Sequence, residues 1–179
     1  MIKFLQDSNG IFSWNSISNI LEGRNNLGDE MPVFMYRLFQ YTLRDELIAR
    51  FGKEVTIDIF RKSGERAGCE FAKNILDLAL PFNAFFAQLQ EVLQEKKIGI
   101  LRMEKFDSST GHVVLTISED LDCSGLPVVG ETVCNYDEGF LAGILKSYTK
   151  KSYQVVEVDC WATGSRVCRF EAFLINEKE

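Results

Sequence analysis

The sequence predicts an α+β domain, N-terminal helices packed on a four-stranded antiparallel sheet. Three observations carry this. Apolar residues recur at helical spacing up to about residue 96, and the period then shortens to two. The second half reads β-β-α-β-β, an order that yields neighbouring antiparallel strands rather than a parallel crossover sheet. No internal repeat or low-complexity segment interrupts the pattern.

The elements follow in order. Residues 1–30 form an arm with one short helix through Ser18–Leu21, capped by Asn15 or Ser16 and closed by the turn-rich run Gly23–Pro32. Residues 31–179 form the domain. Pro32 suits the first position of a long helix in which Val33, Phe34, Leu38, Tyr41, Arg44, Ile48 and Phe51 share a mostly apolar side, and Gly52 ends it. A second helix runs from Glu54 to Leu80 and holds Gly64 and Gly68. Glycine inside a helix costs about 1 kcal/mol relative to alanine. Its usual return is close approach by another backbone, with close approach by a ligand as the alternative. Pro81 stops that helix. A third helix, Phe82–Lys96, presents Phe82, Phe85, Phe86, Leu89 and Leu93 on one face. Strands follow at Ile98–Phe106 and His112–Glu119 about a turn at Asp107–Gly111; Val113, Leu115 and Ile117 alternate on the second. After a loop, Asp120–Glu131, a short helix spans Tyr136–Lys150 with Gly139 and Gly143. Strands Tyr153–Trp161 and Arg166–Ile175 close the chain as a hairpin, with Gly164 in its turn.

Composition excludes several functions. The 179 residues are 46% apolar and 26% charged, ordinary for a soluble domain that folds without staples. Net charge is −6, which disfavours nucleic acid as a partner, since phosphates reward clustered Lys and Arg. The single histidine, His112, excludes a multi-histidine metal site. The start MIKFLQDSNG has no apolar core of a signal peptide and no apolar run spans a bilayer, so a reducing cytoplasm is the expected compartment. There, clustered cysteines more often bind metal or do redox chemistry than form disulfides.

Four of the five cysteines fall in the last third: Cys123, Cys134, Cys160 and Cys168. Cys160 and Cys168 face each other across the predicted hairpin. Cys134 precedes a helix whose amide dipoles favour a thiolate. With Glu157, the set offers either three thiolates and a carboxylate or four thiolates to one tetrahedral zinc. Free cysteines are otherwise small buried hydrophobes, the role expected of Cys69 in its apolar helix.

The spacing Cys134-x22-Glu157-x2-Cys160-x7-Cys168, the run Cys134-x4-Gly139-Phe140-x2-Gly143 and the glycine pair in RKSGERAGCEFA resemble the 4-vinyl-reductase domain. That domain also forms the sensor module of phenol- and xylene-responsive activators. The resemblance covers about Met31 to Ile175. It implies the fold of TRAPP tethering subunits and haem-NO-binding domains, a small hydrophobic or aromatic ligand, and one zinc per chain held by Cys134, Glu157, Cys160 and Cys168. Iron is the alternative metal. Cys123, in DCSGLP, departs from the sensors and is the alternative fourth ligand. The histidine that anchors phenol in the sensors has no counterpart here, because His112 opens a strand; phenol specificity is not carried over. No AAA+ or helix-turn-helix segment accompanies the domain, so this chain alone is not expected to be a complete activator.

Three functions compete. The first is a ligand-binding sensor or carrier with a pocket between helices and sheet, walled by Phe60, Phe71, Phe82, Phe85, Phe86, Tyr136, Phe140 and Trp161. Each of these aromatics also suits plain core packing. The second is a cysteine-based redox or iron sensor. The third is a vinyl reductase or accessory protein of tetrapyrrole synthesis; no GxGxxG motif follows a strand to support hydride chemistry. The surplus apolar surface of the first long helix, at Phe34, Leu38, Tyr41 and Phe51, points to a homodimer.

Overall fold

A computed structural model describes residues 12–17 and 19–175. Ser18, where the arm's helix is expected to begin, lies outside the described residues. On either side of it stand a 3-10 turn, Trp14–Ile17, and one helical turn, α1 (Ile20–Gly23). The Trp14 amide donates to Glu70 and ties the arm to the domain.

Two long helices meet at one residue. Helix α2 (Val33–Phe51) ends and α3 (Lys53–Ile75) begins at Gly52, whose φ of 81° suits a residue without Cβ. Helix α3 stops five residues before the expected Leu80. Asp77 bends the chain there: its Oδ1 accepts the Ala79 amide, while its own amide donates to Gln88. Pro81 also disfavours helical backbone at Leu80. Helix α4 (Phe82–Glu95) follows.

Strands β1 (Ile100–Asp107) and β2 (His112–Ser118) form one hairpin. Strands β3 (Tyr153–Asp159) and β4 (Cys168–Leu174) form the other, with helix α5 (Asn135–Thr149) between the pairs. The four-stranded sheet has the order β1-β2-β4-β3 and is antiparallel throughout. Gly164 turns the second hairpin at a φ of 99°. Leu101, Val113, Leu115, Ile117, Val155, Phe170 and Ala172 are buried, as alternation predicts for one covered face. Helix α4 packs on β1, α5 on β3, and α3 on α5. No helix among the described residues is long and apolar enough to cross a membrane.

Helices α3 and α5 run side by side in the same direction with their backbones touching. Gly64 and Gly68 face Tyr136 and Phe140; Gly139 and Gly143 face Arg61, Glu65 and Cys69. A Cβ on any of the four would fall well inside van der Waals contact of a backbone carbonyl oxygen. Of the two reasons for these glycines, helix packing is the one the geometry meets.

Helix α2 is inverted relative to expectation. Its apolar residues point outward, with Phe34 66% and Leu38 56% exposed, whereas Gln40 and Arg44 are 7% and 9% exposed. The reason lies in what it covers: a polar loop, residues 119–134, rather than the sheet.

Candidate metal centre and ligand cavity

Four separate elements each deliver one thiol to a common point. Cys123 comes from the loop after β2, and Cys134 sits at the N-terminus of α5. Cys160 follows β3, and Cys168 opens β4. All four are buried, and their Sγ atoms lie within 4.8 Å of one another. Cys134 Sγ is 3.9 Å from Cys160 Sγ and 3.8 Å from Cys168 Sγ; Cys123 and Cys168 approach to 3.0 Å. Bonds of about 2.3 Å in a tetrahedron put sulfurs about 3.8 Å apart, so the donor set fits zinc in number, softness and spacing. Thiol-to-thiol hydrogen bonding, first through Cys123, pushes Cys134 up and Cys160 down, so proton loss begins at Cys160.

Glu157 borders this group. Its Oε2 accepts the Cys134 amide at 2.9 Å, and its Oε1 has no partner among the described residues. Burial pushes its carboxyl up to about 8. The Glu157 amide in turn donates to Glu138 on α5, whose carboxylate receives the Arg61 guanidinium of α3 at 2.5 and 3.1 Å. Cys69 stands apart on α3, its thiol directed at the Gly143 carbonyl.

The cysteine loops are held from outside by α2. Arg37 donates to the carbonyls of Leu121, Ser124 and Asp120. Tyr36 and Gln40 bind the Asp122 carboxylate at 2.8 and 2.7 Å. Arg44 donates to the Val133 carbonyl and to Asn135. Asp120 closes its own loop by accepting the amides of Asp122 and Cys123. These polar groups escaped the sequence reading. The available signal was Tyr36, Gln40 and Arg44 at four-residue spacing, a polar stripe inside an otherwise apolar helix.

A cavity of about 380 Å³ opens between α2, α3 and α5. Of the expected wall residues, Phe60, Phe71, Tyr136 and Phe140 line it, with Phe71 and Phe140 packed edge to face. The other four lie elsewhere. Phe85 stacks on Tyr148 and Phe82 on Phe106; Phe86 is in the core against the sheet. Trp161 lies under Arg166 and donates to the Leu126 carbonyl. Helix α2 supplies wall residues absent from the expectation: Phe39, Leu43 and Leu47, together with the polar Tyr36 and Gln40. The floor is acidic. Burial, then the charge of Asp122, holds Asp137 well above the usual carboxyl range, and burial pushes Asp120 up to about 7.

Comparison with known proteins places this geometry. Residues 113–173, from β2 through β4, match the family model of the 4-vinyl-reductase domain. Over 94 residues the chain is 33% identical to protein MJ1642 of Methanocaldococcus jannaschii, a match spanning 52% of this chain and 56% of that protein. The chain spans about half the length of the curated relatives it matches. Among solved structures, the phenol-responsive sensory domain of the transcription activator PoxR, determined with phenol, superposes with a TM-score of 0.62. Identity is 15%, and the match covers 85% of this chain and 79% of that one. Trafficking protein particle complex subunit 3 from Naegleria fowleri, covalently bound to palmitic acid, superposes with a TM-score of 0.62. Identity is 9%, and coverage is 80% of this chain and 95% of that one. The chain therefore carries a 4-vinyl-reductase domain, built on an α+β fold that it shares with a phenol-sensing module and a vesicle-tethering subunit.

Proposed function

We propose that the chain is a zinc-stabilised sensory or carrier module that holds a small hydrophobic or aromatic ligand between α2, α3 and α5. One observation carries this: a cavity of about 380 Å³, walled mainly by aromatic and aliphatic side chains, with a few buried polar groups at its floor. The phenol held by PoxR supports the same class of ligand on a shared fold. In this reading Cys123, Cys134, Cys160 and Cys168 hold one zinc per chain, and iron is the alternative for the same thiolates. Bound metal supplies cross-linking: it ties the start of α5, which is a cavity wall, to the β3–β4 hairpin.

The test is native mass spectrometry of the protein as purified, which should detect a small apolar molecule or uptake of added aromatic probes. Ser63 is exposed and lines the cavity. Ser63→Trp should obstruct it, weaken probe binding at least tenfold and leave the melting temperature within a few degrees of wild type. Unchanged binding in this variant would remove the cavity as the site. The redox reading makes a different prediction, namely that mild oxidant links Cys123 to Cys168 and ejects metal. One zinc per chain, unchanged by oxidant, speaks against it.

The outward apolar face of α2 supports a homodimer built on Phe34, Leu38 and neighbouring residues. The double substitution Phe34→Asp and Leu38→Asp should halve the mass measured by light scattering. A wild-type chain that is already monomeric at micromolar concentration would overturn the dimer.

A further inference from the structure

Two acceptor atoms at the cavity floor lack donors. Asp137 and Gln40 are each 7% exposed and both line the cavity. Asp137 Oδ2 and Gln40 Oε1 have no hydrogen-bond partner among the described residues. The Gln40 amide cannot simply be reversed. Its Nε2 donates to Asp122 Oδ2 at 2.7 Å, and a flip would set oxygen against a carboxylate. The two nearest guanidinium groups are engaged elsewhere: Arg37 on three carbonyls, Arg44 on a carbonyl and an amide oxygen. An unsatisfied buried acceptor is costly, and these two belong to a space large enough for a ligand.

We infer that the ligand is a primary amine with an apolar body. This rests on the cavity being the binding site. The class follows from counting donors. A protonated amine carries three N–H donors and can serve both acceptors at once; a hydroxyl donates one hydrogen bond; a hydrocarbon donates none. A carboxylate brings only acceptors to a floor that already holds Asp122 and Asp137. An amine and the Asp137 carboxyl group share one proton in an N–H···O contact, whichever partner holds it beforehand. The aromatic rings of Phe60, Tyr136 and Phe140 suit such a head group as well, since a cation over a ring face is attracted by its quadrupole.

A matched series decides it, using calorimetry on the metal-loaded full chain: 4-phenylbutylamine, 4-phenylbutan-1-ol, butylbenzene and 4-phenylbutanoate. The expected order is amine tightest, at least tenfold over the alcohol, then the hydrocarbon, with the carboxylate weakest. Asp137→Asn should lower affinity for the amine at least tenfold and leave butylbenzene unchanged, with metal content reporting that the fold is intact. Should that variant not fold, Gln40→Leu and the wild-type ranking serve instead. Butylbenzene or the carboxylate binding as tightly as the amine overturns the inference and leaves the cavity reading standing. If none of the four binds, the cavity reading itself falls, and the inference with it.

Discussion

Gly139→Ala is expected to destabilise the protein by about 3 kcal/mol or more, through overpacking that side-chain rotation cannot relieve. In a domain of this size that lowers the melting temperature by roughly 10 °C. The new Cβ would meet the Arg61 carbonyl oxygen and the Glu65 amide nitrogen, both backbone atoms of α3. Helix propensity works the other way, favouring alanine by about 1 kcal/mol, so the measured loss is what remains after that gain. Helix α5 has little room to retreat. Its opposite side packs on β3, its Glu138 is buried against Arg61, and its first turn carries Cys134, Tyr136 and Asp137. A forced shift therefore disturbs the cavity wall and the thiol cluster together, and metal affinity should fall with stability. Gly23→Ala is the control. No atom lies within 4 Å of a Cβ there, and the expected change is within about 0.5 kcal/mol. Urea denaturation of both variants checks the pair; a wild-type midpoint for Gly139→Ala would mean that the two helices do not touch.

These glycines show what was legible in the sequence. Two pairs with four-residue spacing on two predicted helices announce close backbone contact, because only a missing Cβ repays glycine's cost inside a helix. The sheet was legible for a similar reason: Val113, Leu115 and Ile117 alternate on β2 as one covered face requires. Helix α2 was not. Its apolar residues formed the more continuous stripe, and a stripe normally faces the core. Here the inner neighbour is the loop holding Asp120, Asp122 and Cys123, more than 80 residues away in sequence, so the buried side had to be the polar one. The cavity walls were half legible. Aromatic residues on α3 and α5 line it, but the phenylalanines of α4 fill the layer between that helix and the sheet, and composition cannot separate the two uses. The fourth metal ligand was legible only as a choice between Glu157 and Cys123, because the path of the long loop after β2 decides which side chain arrives.

That choice yields the second large effect. Cys160→Ser and Cys168→Ser should each lose the metal and destabilise the domain by more than about 4 kcal/mol, since both remove a ligand from a site that ties α5 to the terminal hairpin. Cys123→Ser and Glu157→Gln should then part company. With four thiolates around the metal, Cys123→Ser weakens binding sharply. Glu157→Gln keeps one zinc per chain, because the glutamine carbonyl still accepts the Cys134 amide that Glu157 Oε2 accepts now. With three thiolates and a carboxylate, the outcomes exchange. Elemental analysis reads the metal. Cobalt substitution reads the donor set independently, since the intensity of the sulfur-to-cobalt charge-transfer band grows with the number of thiolates. The geometry favours the first outcome: Cys123 Sγ already lies within 4.8 Å of the other three thiols, and Glu157 is engaged in holding the loop that presents Cys134. Full metal in both Cys160→Ser and Cys168→Ser would refute the site as a whole, whichever fourth ligand were assigned.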